Sequence, residues 1–321
     1  MKRRFVLFFF LFFCIENYIN GDEKMEARSL RISRLDFRGK VSFGVLNGKA
    51  MENVYSAYDR RRKISELIWD LRDVPIVSLH LESFIRENFS LHIDYKTNLG
   101  GGSGHMTDRD YLWYEDPSYW THFSQSVVDI RDLVQCDMNG SYSFYSMWDE
   151  TVKCRFFAGF KYIYWKWEDH IQYLIYSSDP DSGSLRDIFS SLDGLRGINY
   201  EQTYQMPYFG LALDFHLGKA LFNVYASYSC WVRAKDRDFH ILRELTFEEA
   251  AENGKYYSCG ATCSYPFKES YFLEVGIHYE KVAEMRSDTS ISDGYTKLVI
   301  PNSAGLGYHS SLANISFVKR F

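Results

Sequence analysis

Phe156-Phe157-Ala158-Gly159-Phe160-Lys161-Tyr162-Ile163-Tyr164-Trp165-Lys166-Trp167 is the stretch that decides the architecture. It is aromatic and β-branched, carries one glycine and no proline, and has the residue types of an extended strand. Tyr208 to Phe215, Leu221 to Val232, Tyr271 to Tyr279 and Ser311 to Phe321 share this character, with turn residues between them. About ten such segments follow one another, several longer than the usual strand of a soluble sheet. No stretch beyond the N-terminus is apolar enough for a membrane helix.

The first residues give the compartment. Met1-Lys2-Arg3-Arg4 precedes an apolar run from Phe5 to Ile15, too short to span a bilayer but suited to a secretory signal. Residues 1–21 are therefore read as a signal peptide and 22–321 as one β-barrel domain. Cys14 follows Phe12-Phe13, not the small residues that precede a lipidated cysteine. Long alternating strands behind a signal point to an all-β fold: an antiparallel transmembrane β-barrel of about ten strands with long extracellular loops. Lipid offers the backbone no hydrogen-bond partner, so a sheet crosses it only when closed on itself. An aromatic content of 18% fits girdles at the two membrane interfaces, and the final residue, Phe321, suits the last strand of such a barrel. A secreted β-sandwich shows the same alternation and is the alternative architecture.

The whole chain has a net charge of −5 and, without residues 1–21, one near −7. That leaves no basic stripe for nucleic acid. Outside the leader five cysteines remain, so at least one is unpaired. Cys259 and Cys263 share one strand face too far apart to bond; Cys230 could lie across a hairpin from either. No metal-ligand spacing stands out. His80, His92, His216 and His278 fall in alternating segments and are expected to face the lumen or to be satisfied polar residues.

Polar stretches interrupt the strands at Asn98 to Pro117, Ser177 to Arg196, Arg233 to Lys255 and Arg286 to Ser303, and these are read as the outer loops. Two acidic clusters open such stretches. Asp108 and Asp110 stand at i and i+2, as do Asp238 and His240, so on a strand each pair points to one face. Two carboxylates on one segment and a carboxylate beside an imidazole on another, both at the outer end, make a kit for activating water. Taken singly, Asp108-x-Asp110 fits an aspartate-rich turn and Asp238-x-His240 a charged loop. The glycines from Gly100 to Gly104 read as a flexible loop. Neither a nucleophilic serine elbow nor a phosphate-cradling loop is present.

The chain resembles the omptin family of outer-membrane aspartyl-type proteases. The blocks that carry the resemblance run through the mature chain: Val41 to Lys49, Glu52, Val54-Tyr55, Arg62 to Leu67, Trp69, and Gly102 to Tyr111. They continue through Trp120-Thr121, Ser124, Ala158-Gly159-Phe160, Tyr176-Ser177-Ser178, Gly197 to Tyr200, Met206 to Leu211 and Asp236 to His240. The resemblance implies a ten-stranded antiparallel barrel that extends beyond the membrane, with an outer-rim cleft in which Asp108 and Asp110 face Asp238 and His240. His240 would be the general base, Asp238 its orienting partner, and Asp108 and Asp110 would hold the attacking water and manage the oxyanion. It further implies cleavage of peptides or proteins at Arg or Lys, whose side chain Glu52 and Asp236 would receive. No cofactor is implied beyond a possible requirement for lipopolysaccharide.

Three features depart from the family pattern. His122 stands where an acid is frequent, which bears on preference after the cut, and Ser126 where many members have a histidine. Phe160, Tyr162 and Tyr164 occupy the strand that otherwise carries lipopolysaccharide-contacting charges, so lipopolysaccharide is expected to bind differently or to be unnecessary. The expected partners are thus basic peptides and outer-membrane lipid, with no nucleic acid. The expected state is a monomer in the outer membrane of a Gram-negative bacterium, its site facing outside. A surface adhesin that kept the scaffold but lost the activity is the alternative function, and a passive pore fits a barrel of this size poorly.

Overall fold

The computed structural model describes residues 36–86, 88–147 and 151–321; the expected signal peptide and Cys14 lie outside them. The strands, in chain order, are β1 (Asp36–Tyr55), β2 (Lys63–Arg86), β3 (Phe89–Asn98), β4 (Gly102–Asp110), β5 (His122–Met147), β6 (Val152–Tyr176), β7 (Ile188–Leu217), β8 (Ala220–His240), β9 (Leu245–Lys268), β10 (Tyr271–Ser292) and β11 (Lys297–Arg320). Each pairs antiparallel with its neighbours, and β1 pairs with both β2 and β11, so the sheet closes. Eleven strands make ten staves, because β3 and β4 both bridge β2 and β5, one above the other. The break between them falls at Gly100, whose φ of 126° lies in the region that favours glycine. Gly104 is also required: a Cβ there would sit 1.9 Å from the Asp70 carbonyl oxygen. The glycine-rich segment is thus mostly strand, not the flexible loop expected.

Alternation explains the closure. On β10, Leu273, Val275 and Ile277 are exposed on the outer face while Glu274, His278 and Glu280 turn inward. Phe43 and Val45 on β1, Leu91 and Ile93 on β3, Phe156 and Phe160 on β6, Leu211 on β7 and Ile315 and Phe317 on β11 complete the apolar belt. Such a belt is stable only against lipid.

The lumen at belt level is filled by paired charges. Arg155 grips Asp214 with two bonds of 2.5 and 3.0 Å, and Lys161 donates to Glu280 at 2.9 Å and to the Tyr256 hydroxyl at 2.8 Å. Above them lies an aromatic floor. Trp69 stacks on Tyr200 at 4.8 Å, Tyr200 neighbours Trp167 at 5.5 Å, and Trp167 stacks on Trp165 at 5.8 Å. This filling argues against an open pore. Deleting a large buried aromatic costs about 3–5 kcal/mol, so Trp167→Ala should lower the urea midpoint of the refolded barrel sharply. An unchanged midpoint would show that the stack does not stabilise the fold.

Several expectations are corrected. Most of the polar stretches read as outer loops are strand: β4, the upper parts of β7 to β9, and the ends of β10 and β11 rise through them. Beyond the lipid the outer face meets water, so polar residues occupy both faces and the alternation that marks a strand fades. Cys230 does not pair; Cys259 lies opposite Ala226 and Cys263 opposite Phe222, and all five described cysteines are free. His80, His92 and His278 do line the lumen side, but His216 is exposed beside the turn at Gly218.

Candidate active site

The upper parts of β4 and β8 bring the predicted residues together. Going round the ring, three staves separate them on one side and five on the other, so they face each other across the lumen. On β8, Val232, Ala234, Asp236 and Asp238 are buried while Arg233, Lys235 and Arg237 are exposed. The i, i+2 reading therefore holds, with the acids turned inward. His240 continues that face at the last residue of the strand, and its Nε2 lies 2.8 Å from Asp238 Oδ2. Asp238 is 1% exposed, and its second oxygen has no hydrogen-bond partner. The Phe247 ring, 4.9 Å from the imidazole, walls the other side.

Asp108 and Asp110 stand opposite Leu67 and Ser65 of β2. Ser65 Oγ donates to Asp108 Oδ1 at 3.0 Å. Burial and the adjoining Asp110 push the Asp108 carboxyl up to about 8, with Asp238 adding to the push. Burial also raises Asp110, against the attraction of His122, Arg243 and His240. The two walls thus sense one another electrostatically: Asp108 feels Asp238, and Asp110 feels His240. Two close, half-desolvated carboxylates cannot both ionise easily, so the pair holds a proton at neutral pH.

Below this gap lies a pocket of acids. Glu52 reaches it from β1, and Asp236 from β8. One oxygen from each lies within 4.8 Å of the other and of a third from Glu249 on β9, the direct cross-strand partner of Asp236. All three are buried. Tyr200, part of the aromatic floor, donates to Asp236 Oδ2 at 3.1 Å, and the Glu249 backbone N–H donates to Oδ1 at 3.2 Å. Burial comes first in raising all three acids, followed by Glu249 for both Glu52 and Asp236.

The structure therefore juxtaposes all six residues singled out from the sequence. The sequence reading missed Glu249, Ser65, Arg243 and Asp169. Asp169 is 1% exposed; it accepts from Ser126 Oγ at 2.7 Å and from the Gly197 N–H at 2.9 Å. Ser126 thus anchors a buried carboxylate behind the cleft. His122, another departing position, shares a 2.9 Å hydrogen bond between its Nδ1 and the Thr121 hydroxyl and packs against Tyr176 at the rim. A further group, His80, Glu82 and His92, has the donor types of a metal site, but Arg38 takes Glu82 at 3.2 Å and Ser90 contacts His92 Nε2 at 2.8 Å.

A family model described as the Omptin family matches residues 34–321. The chain belongs to the omptin family. Among curated relatives, this omptin is 29% identical over 263 residues to the plasminogen activator of Yersinia pestis, covering 82% of this chain and 81% of that one. It is 27% identical over 261 residues to protease 7 of Escherichia coli K12, covering 79% and 80%. The outer membrane protease IcsP of Shigella flexneri is 27% identical over 273 residues, covering 84% and 85%. The crystal structure of the outer membrane protease OmpT from Escherichia coli superposes with a TM-score of 0.84 at 23% identity, over 92% of this chain and 99% of that one. Fold and family together make this omptin an outer-membrane β-barrel of Gram-negative type.

Proposed function

We propose that this omptin is an endopeptidase that cuts exposed peptides at basic residues, using a water held between the Asp108–Asp110 wall and the Asp238–His240 pair. The observation that carries this reading is the 2.8 Å contact of His240 with a 1%-exposed Asp238, facing a carboxyl pair that keeps a proton. With Nε2–H donated to Asp238, the Nδ1 lone pair of His240 is left to take a proton from water. As water attacks the scissile carbonyl, Asp238 stabilises the imidazolium that forms. The proton then passes from His240 to the leaving amine. The neutral carboxyl of the Asp108–Asp110 pair donates a hydrogen bond to the developing oxyanion, a role a carboxylic acid fills only when its environment holds it protonated. Glu52 and Asp236 receive the basic side chain before the cut, where charge-assisted bonds offset the desolvation of the guest.

The direct test is refolded protein with a fluorogenic dibasic peptide, assayed with and without lipopolysaccharide. Turnover in both arms would make lipopolysaccharide unnecessary, and turnover only in its presence would mean that it binds differently, since Phe160, Tyr162 and Tyr164 face outward where family members carry charges. A barrel that binds matrix proteins and cleaves no basic peptide at any pH would favour the adhesin. The enzyme is taken to act as a monomer after removal of residues 1–21, which N-terminal sequencing of membrane-extracted protein checks.

A pH dependence follows from the same pair. A carboxyl raised to about 8 stays protonated at neutral pH and loses its proton as the pH rises through that value. Activity should therefore fall above about pH 8. Asp108→Asn cannot ionise, so its residual activity should lack that alkaline limb. An identical limb in the variant would remove Asp108 from the role of oxyanion donor.

A further inference from the structure

We propose that Glu249 is a third acid of the pocket that receives the substrate's basic side chain, and that it is the residue that admits lysine there. The inference rests on the protease reading given above and extends it to a residue outside the predicted Glu52–Asp236 pair.

The argument begins with satisfaction. Glu52 Oε2 and Glu249 Oε2 are buried without a hydrogen-bond partner, and both residues are only 4% exposed. A buried polar atom left unpaired is costly, the more so for a charged group. The charged groups that act most strongly on Glu52 are themselves acids, Glu249, Asp238 and Asp108. Among the described residues, no cation is among the groups that act most strongly on these three acids, and the pocket calls for one from a guest.

Shape says which cation Glu249 serves. One oxygen from each of Glu52, Asp236 and Glu249 lies within 4.8 Å of the other two. An ammonium donates three bonds of about 2.8 Å at tetrahedral angles, which sets its acceptors about 4.6 Å apart. Three acids converging from β1, β8 and β9 supply that tripod. A guanidinium asks for something else: the open edge of one carboxylate, both oxygens in its plane. Asp236 has both oxygens engaged, by Tyr200 and by the Glu249 backbone. Arginine must therefore be held by side-on bonds that Glu52 and Asp236 largely supply, whereas the lysine ammonium loses one of three contacts without Glu249.

The test compares kcat/KM on two peptides that differ only in Lys or Arg before the cut. Glu249→Gln should lower the lysine value by about 10–100-fold, the range for losing one charge-assisted bond, and the arginine value by about threefold or less. The Lys/Arg ratio of the wild type should thus collapse in the variant. An unchanged ratio, whether both values fall equally or neither moves, overturns the inference while leaving the protease reading intact. A wild-type barrel that cleaves neither peptide overturns the protease reading itself. Should the glutamine variant fail to refold, Glu249→Ser, neutral and smaller, carries the same expected ratio.

Discussion

Replacing His240 with alanine should reduce kcat on a basic peptide by about 10²–10⁴-fold, the usual cost of losing a general base. Asp238→Ala should come close to the same loss. The reason lies in the geometry: Asp238 is the residue that fixes which imidazole nitrogen carries the proton, through the 2.8 Å contact to Nε2. Without it, the ring is free to turn and the imidazolium has no counter-charge. The two losses should not add in the double variant, because the residues act as one unit. KM should change less than kcat, since neither group is one of the three acids of the pocket for the basic side chain and Asp238 acts on Glu52 only through its charge. Far-UV circular dichroism and the heat-dependent gel mobility of the barrel should match the wild type, as His240 is the last residue of its strand. Stopped turnover with intact folding is the expected result; turnover within about twofold of wild type for either variant would end the assignment.

Much of this was legible before any coordinates. The Phe156-to-Trp167 run, the Tyr271-to-Tyr279 run and their kin point to a lipid-facing sheet, because alternating strands longer than those of a soluble sheet, behind a signal, suit a barrel wall better than the β-sandwich that shares the alternation. Asp238-x-His240 was readable as a same-face pair by strand geometry alone. Cross-strand relations were not. Glu249 sits in Phe247-Glu248-Glu249-Ala250, where two successive acids look like a solvated edge. Only the register, Asp236 against Glu249 and Arg237 against Glu248, tells the inward acid from the outward one. Ser65 is hidden in the same way: nothing in Lys63-Ile64-Ser65-Glu66 announces that its hydroxyl will reach Asp108 on β4.

The long polar stretches failed as loops for a related reason. A strand is recognised when one face is dry, and above the lipid neither face is uniformly so. There the backbone ladder persists: β8 pairs with β9 as far as His240 and Leu245, leaving residues 241–244 as the tip. The consequence is functional. The side chains proposed as catalytic stand on paired strands and are held by the sheet's own hydrogen bonds, the kind of preorganisation that a water-activating site needs.

The second large effect is expected at Asp236. Asp236→Asn should lower kcat/KM for arginine and lysine peptides alike by about 30- to 3,000-fold, the range for removing one member of a buried charged pair. Asp236 is the hub of its pocket, taking the Tyr200 hydroxyl on one oxygen and the Glu249 amide on the other while adjoining both Glu52 and Glu249. An asparagine must turn its NH2 toward one of these two donors, so the variant loses order as well as charge. The loss should appear mainly in KM, because a cationic side chain bound remotely from the scissile bond is held about equally in ground and transition states. It should also shrink with added salt far less than a surface pair would, since the pocket is desolvated. A wild-type KM in the variant would mean that the basic side chain is received elsewhere and that these three buried acids serve only the barrel.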